Sequence, residues 1–171
     1  MSSQRDFRLN IEQQKVYDIL LPKKNGLSVI SGMGGTGKSL LIAKLTHELR
    51  AQGKKVVLAA TTGAAATRLS QYGVTAHHLF ALPIRGQSLR PMSATHPART
   101  ILDDGDVFVI DEHSMLTAMD LNYIAYRLMQ SSANYNTHLQ HFTGDDTPNT
   151  RTQDPFAHKH IILVGDLQQV G

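Results

Sequence analysis

The sequence predicts an α/β fold in which a parallel sheet is flanked by helices, and three observations carry that prediction. A glycine-rich turn joins an apolar strand to a helix in SVISGMGGTGKSLLIAK, residues 28–44. Apolar, strand-like segments then alternate with amphipathic ones along the 171 residues. One apolar run, at 107–110, has the unbroken character of a buried strand, and both it and the strand at 160–164 lead directly into polar motifs.

The glycine-rich turn fills the pattern G-x-x-x-x-G-K-[ST] with Gly32, Met33, Gly34, Gly35, Thr36, Gly37, Lys38 and Ser39. Consecutive amides can wrap a phosphate only where no side chain obstructs them, and glycine also tolerates the positive φ such a wrap requires. The helix opening near Lys38 aims its unpaired N–H groups and positive dipole end at the same anion. The Lys38 ammonium then reaches the β- and γ-phosphates, and the Ser39 hydroxyl can hold Mg²⁺. The nucleotide-binding candidates are therefore Gly32, Gly34, Gly35, Thr36, Gly37, Lys38, Ser39 and Leu40, with ATP or GTP as ligand. A chance glycine turn is the alternative, and strand, loop and helix falling in the required order argue against it.

Composition sets the outer bounds. With 41% hydrophobic and 18% charged residues, the chain is about one domain long and can bury a core. A formal charge of +3 permits a nucleic-acid partner without arguing for one. There is no cysteine, which excludes disulfides and thiolate metal sites. The opening MSSQRDFRLN lacks the apolar core of a signal peptide, and no apolar run is long enough to span a membrane. An intracellular protein without a membrane partner is expected, with cytoplasm, nucleus and nucleoid left undistinguished.

In chain order, Asn10 can cap a helix with Ile11, Val16, Ile19 and Leu20 at roughly helical spacing, ended by Pro22 and Gly26. That helix carries Gln13, whose amide could read an adenine edge; a solvated helix face is the plainer alternative. Leu41, Leu45 and Leu49 keep one face of the helix after the phosphate loop, and Gly53 stops it before a strand at 55–60. TTGAAATRLSQYGVTAHHLF follows, with a helix expected at about 63–70 and a turn at Gly73 leading to His77 and His78. Threonines at a strand end suit phosphate contacts, and alanines equally suit a helix packed tightly on the sheet. Residues 83–100 mix prolines with Arg85, Arg90 and Arg99 and read as an irregular surface loop with one helical turn, either solvated or against a nucleic-acid backbone.

The second chemical centre is DVFVIDEHSML, residues 106–116, where a buried strand ends in two adjacent carboxylates. In phosphate-loop enzymes this arrangement places Asp111 near Mg²⁺ and leaves Glu112 to orient and deprotonate the attacking water. A helix is expected at 116–128, then a polar stretch without periodicity that reads as an inserted surface loop at 131–156. His138, His141, His158 and His160 lack a scaffold that would make them metal ligands. The last strand ends in GDLQQVG at the carboxyl edge of the sheet, where such sheets bind ligands.

Together these motifs resemble the first RecA-like domain of the PIF-type helicases, the Pif/RecD-like group of superfamily-one DNA helicases. The resemblance covers nearly the whole chain through LNIEQ at 9–13, GMGGTGKS at 32–39, TTGAAA at 61–66, TAHHL at 75–79, DEHSML at 111–116 and GDLQQ at 165–169. It implies a P-loop NTPase, RecA-like parallel sheet over 1–171 in the order 5-1-4-3-2, truncated after the fourth core strand. Val29 and Ile30 would then lie on an unpaired edge. It makes Gln13 the adenine-reading residue, Lys38 and Ser39 the phosphate and magnesium residues, and Asp111 and Glu112 the magnesium and water-activating acids. Gln169 becomes the γ-phosphate sensor, and Thr62, Gly63 and His77 match positions near single-stranded DNA.

His113 departs from the small or aliphatic residue the family usually has there, and Val170-Gly171 from its usual leucine and proline pair. The expected function is the ATP-binding and hydrolysing motor of a DNA helicase, with ATP and Mg²⁺ as cofactors. Single-stranded DNA is the expected partner, and a second RecA-like domain or another chain is expected to complete the ATP site. The alternative is a non-catalytic, ATP-dependent single-strand-binding module or a partner-completed ATPase subunit; a P-loop kinase is disfavoured because it needs neither DEHSM nor GDLQQ.

Overall fold

The computed structural model describes residues 8–69, 73–84, 87–93, 95–131 and 156–166. In chain order the elements are α1 (Ile11–Leu20), β1 (Gly26–Ser31), α2 (Lys38–Ala51), β2 (Val56–Ala60), α3 (Gly63–Leu69), β3 (Val74–Thr75), α4 (Ala76–Leu79), α5 (Pro97–Asp104), β4 (Val107–Asp111), a 3₁₀ turn (His113–Met115), α6 (Ala118–Ser131) and β5 (His160–Gly165). The sheet is wholly parallel in the order β1-β5-β4-β2-β3. All four expected strands are present, and β5 lies between the phosphate-loop strand β1 and the acid-bearing strand β4, as the resemblance requires. The fifth strand, β3, is only two residues long and extends the sheet beyond β2.

Register explains why the motifs meet. Ser31 is level with Gly165 across β1 and β5, Ile110 with Leu163 across β4 and β5, and Ala60 with Asp111 across β2 and β4. The strands therefore finish together, and the segments that follow them share one edge of the sheet. Covering both faces makes this register costly to slip. On one face Leu41, Leu45 and Leu49 of α2 and Tyr17 and Leu20 of α1 pack on Ile30, Val109, Ile162 and Val164. On the other, α4, α5 and α6 bury Leu79, Leu102, Ile124 and Leu128 against Phe108, Ile110, Ile161 and Leu163. Buried Arg127 ties α6 to the chain after α4 by donating to the carbonyls of Phe80 and Ala81.

Several local expectations need correction. In α1, Val16 and Leu20 pack as expected, but Ile11 and Ile19 are 78% and 68% exposed, because Tyr17 and Leu21 complete the packed stripe in their place. Among the described residues β1 pairs only with β5, as expected of an edge strand, and within it the pleat sends the Val29 side chain to solvent and that of Ile30 into the core. The stretch read as loop with one helical turn contains the start of an eight-residue helix: His96 caps α5 by accepting from the Ala98 amide, and Pro97 is its first residue. The helix after the acid pair starts at Ala118, following the 3₁₀ turn. The insert expected at 131–156 lies, apart from its two ends, outside the described residues. Among the described residues no helix is long and apolar enough to cross a membrane.

Candidate nucleotide site

Asn10 and Gln13 form a capping box at the start of α1, each side chain bonding the other's backbone amide at 2.8–2.9 Å. The Gln13 amide nitrogen also donates to the Thr36 carbonyl at 2.9 Å, so the same residue fastens α1 to the glycine-rich loop. Thr36 in turn closes the loop through its hydroxyl, which donates to the Met33 carbonyl at 2.9 Å. Gly35 and Gly37 both stand at φ 79°, the left-handed region that a side chain resists. At Gly37 a Cβ would also collide with the Gln13 amide nitrogen. Gly37 precedes the first turn of α2 and accepts from the amides of Leu40 and Leu41. The amides of Lys38 and Ser39, first in that helix, have no intrahelical partner.

Lys38 reaches back over the loop. Its Nζ donates to the carbonyls of Gly32 and Met33 at 2.8 and 2.9 Å and pairs with the Asp166 carboxylate at 2.7 Å. A Cβ on Gly34 would lie 3.7 Å from the other Asp166 oxygen. The carboxylate stands in for phosphate oxygens here: an anion already pairs with the lysine beside Gly34. The residues present suit a phosphate: a lysine that pairs with an anion beside a loop whose glycines leave its backbone unobstructed.

Across the cleft, β4 ends on the acid pair. The Glu112 backbone takes φ 58°, a left-handed turn that a non-glycine residue holds only when its surroundings enforce it. Here the Thr61 hydroxyl donates to the Glu112 carbonyl at 2.9 Å, the Thr61 amide to the Asp111 carbonyl at 3.1 Å, and the Glu112 amide to Asp111 Oδ1 at 2.9 Å. The Glu112 carboxylate is itself engaged: Oε2 accepts from the Thr62 hydroxyl at 2.8 Å, and Oε1 meets Arg68 Nη2 at 2.6 Å. Behind the acids, the His113 ring lies against Gly165, where a Cβ would come within 2.7 Å of its Cδ2, which explains the glycine of GDLQQ. Its Nε2 is buried without a partner among the described residues.

A single cleft of about 1360 Å³ is lined by Gly34, Gly35, Gly37, Lys38, Ser39, Thr62, Asp111 and Glu112 among the residues expected from sequence. Gln13 stands at the loop's outer side through Thr36, and Gly32 bonds Lys38 from beneath. Leu40 is partly exposed on the first turn of α2. Gly63 and His77 do not line the cleft; they open α3 and lie in α4, after the carboxyl ends of neighbouring strands β2 and β3. Gln169 lies outside the described residues. Sequence reasoning missed several members of the cleft, among them Arg68 and Asp166. Asp166 sits inside a motif that was noticed, whereas Arg68 carried no signal beyond its place in an alanine-rich helix.

The donor set fits Mg²⁺ with a nucleotide: one hydroxyl and one carboxylate are hard oxygen ligands of the sort Mg²⁺ combines with phosphates and water. Among the described residues no cluster of three or more His, Cys, Asp or Glu suits a metal held by protein alone.

A parallel sheet with a phosphate loop after its edge strand and an acid pair after an inner one defines a P-loop nucleotide-binding domain of RecA-like form. The chain belongs to the AAA domain family, whose model matches residues 8–136. Its likeness to PIF-type superfamily-one helicases, in the region of their first RecA-like domain, holds in sequence and in structure. It is 31% identical over 163 residues to the ATP-dependent DNA helicase PIF1 of Trypanosoma brucei brucei, covering 95% of this chain and 14% of that protein. The Pif1 helicase of Candida albicans superposes with a TM-score of 0.68 at 26% identity, over 93% of this chain and 32% of the other. The Bacteroides Pif1 helicase in complex with ADP-AlF3 and single-stranded DNA gives 0.67 at 25%, over 94% and 32%. The chain thus spans about a seventh of the trypanosome relative and a third of the solved helicases.

Proposed function

We propose that this chain is the ATP-binding and ATP-hydrolysing motor domain of a DNA helicase acting on single-stranded and duplex DNA inside the cell. The observation that carries the reading is the convergence of Lys38, the open loop backbone and the Asp111-Glu112 pair on one cleft, with an anion already held against Lys38. On this reading Lys38 exchanges Asp166 for the β- and γ-phosphates, and the free amides of the loop and of Lys38 and Ser39 receive the remaining phosphate oxygens. Gln13 reads the adenine, and Ser39 and Asp111 hold Mg²⁺, which when bound neutralises charge on the phosphates. Glu112 accepts a proton from the attacking water. Gln169 senses the γ-phosphate, and a second RecA-like domain or another chain completes the site.

Single-stranded DNA would run past Thr62, Gly63 and His77. Likeness to Bacteroides Pif1, solved in complex with single-stranded DNA, supports DNA as the partner. Glu112→Gln tests the chemistry: Mg·ATP affinity is retained and phosphate release falls by about 10²–10⁴, the usual worth of a general base. Turnover unchanged by the substitution would place the base elsewhere.

A further inference from the structure

We propose that Arg68 is a latch on Glu112, and that a phosphate of single-stranded DNA, competing for the same guanidinium, releases it so that strand binding raises the rate of hydrolysis. The proposal rests on the reading of Glu112 as the water-activating base.

Both oxygens of the Glu112 carboxylate are taken, Oε1 by Arg68 Nη2 at 2.6 Å and Oε2 by the Thr62 hydroxyl at 2.8 Å. Each oxygen keeps a second lone pair, so the two donors restrain the carboxylate rather than block it: they fix the direction it faces, and turning it onto a water in the cleft breaks one of them. The arginine is the one that can be drawn away. Its side chain is 70% exposed and that of Glu112 is 37% exposed, so solvent screens the pair and another anion can reach it. A guanidinium pairs with phosphate oxygens as well as with a carboxylate.

The second donor is tied to the same element. Thr62 Oγ1, while donating to Glu112, also accepts from the Ala65 amide at 3.2 Å. Any shift of this turn therefore moves both groups that restrain the carboxylate. Thr62 and Gly63 lie on the proposed strand path, and Arg68 is in α3 itself, so DNA arrives at the element that holds the base. Arg68 acts through Glu112 and is a positioning residue.

Linkage fixes the test. If DNA phosphates and Glu112 compete for one guanidinium, removing the Glu112 charge must tighten DNA binding, and removing the guanidinium must abolish that gain. Fluorescence anisotropy of a labelled oligothymidylate, without nucleotide, is measured on wild-type protein, Glu112→Gln, Arg68→Ala and the double variant. Glu112→Gln is expected to bind about 2- to 5-fold tighter, the range of an exposed ion pair, and the double variant no tighter than Arg68→Ala. In a parallel ATPase assay without DNA, Arg68→Ala is expected to raise kcat by about the same factor at unchanged KM for ATP and to blunt stimulation by the oligonucleotide, while Arg68→Lys keeps most of the restraint.

Equal DNA affinity in wild type and Glu112→Gln overturns the latch, as does a basal kcat that stays level or falls in Arg68→Ala. An oligonucleotide bound by none of the four proteins overturns DNA as the releasing ligand. Failure of wild type to bind Mg·ATP would remove the ATPase reading instead, and the nucleotide-free anisotropy series would still decide the competition.

Discussion

Acidification should destabilise the fold through His160, the first residue of β5. Its ring is fully buried, and Nε2 lies 2.9 Å from the Ser28 hydroxyl, which also accepts from Lys23 Nζ at 2.8 Å. A proton on the imidazole would be buried and would set a second cation against that oxygen. Burial, then the Lys23 charge, pushes the His160 pKa down from 6.5 to about 4. The folded state thus refuses a proton that the unfolded chain accepts below about pH 6.5. Stability from this group is complete above that value and is lost as the pH falls towards 4. At 1.36 kcal/mol for each pH unit of displacement, the loss reaches about 3 kcal/mol, or roughly 6–12 °C in Tm for a chain of this size. Thermal unfolding followed by circular dichroism from pH 7 to pH 4 measures it, with His160→Gln as the reference that cannot titrate there. The variant starts lower and falls less steeply. Parallel curves for the two proteins would refute the assignment.

Two further outcomes follow from backbone and edge geometry. Gly37→Ala should cost about 1–3 kcal/mol and lower nucleotide affinity, since it meets both the positive φ and the Gln13 amide, whereas Gly35→Ala meets the same φ in open space and should cost less; thermal melts that rank the two the other way would contradict this. Among the described residues β1 is paired on one side only, with Val29 55% exposed, so Val29→Lys should reduce concentration-dependent light scattering by charging an open edge. Identical scattering from both proteins across a dilution series would show that the edge is covered.

The parts of the site legible in the sequence were those written in contiguous residues. A phosphate loop is one turn between a strand and a helix, and DE after VFVI is a strand end, so Lys38, Ser39, Asp111 and Glu112 could be named and placed on one edge of a sheet. Strand order followed from the family resemblance alone. What escaped were pairings between segments far apart in the chain. Arg68 meets Glu112 across 44 positions, and Lys38 meets Asp166 between the first and last strands. Neither partner alters the local pattern around the other. Gln13 was legible as a ligand candidate but not as the clasp that joins the cap of α1 to the phosphate loop. Periodicity also misled where two apolar faces compete on one helix: Ile11 and Ile19 fit a helical stripe with Leu20, yet it is Tyr17 that packs beside Leu20. The start of α5 fell within a stretch read as irregular loop with one helical turn, because proline at the first position of a helix and proline in a loop look alike until His96 is seen to cap.

The most direct test of the account is calorimetric titration of Mg·ATP into the wild-type protein and into Lys38→Ala. The substitution removes charge-assisted bonds worth about 1.5–3 kcal/mol each and leaves the Asp166 carboxylate unpaired beside the incoming phosphates. Wild type should bind stoichiometrically, one nucleotide per chain, and the variant at least about 100-fold more weakly while keeping its melting transition. Equal affinity in the two proteins would contradict the assignment of this cleft to the nucleotide.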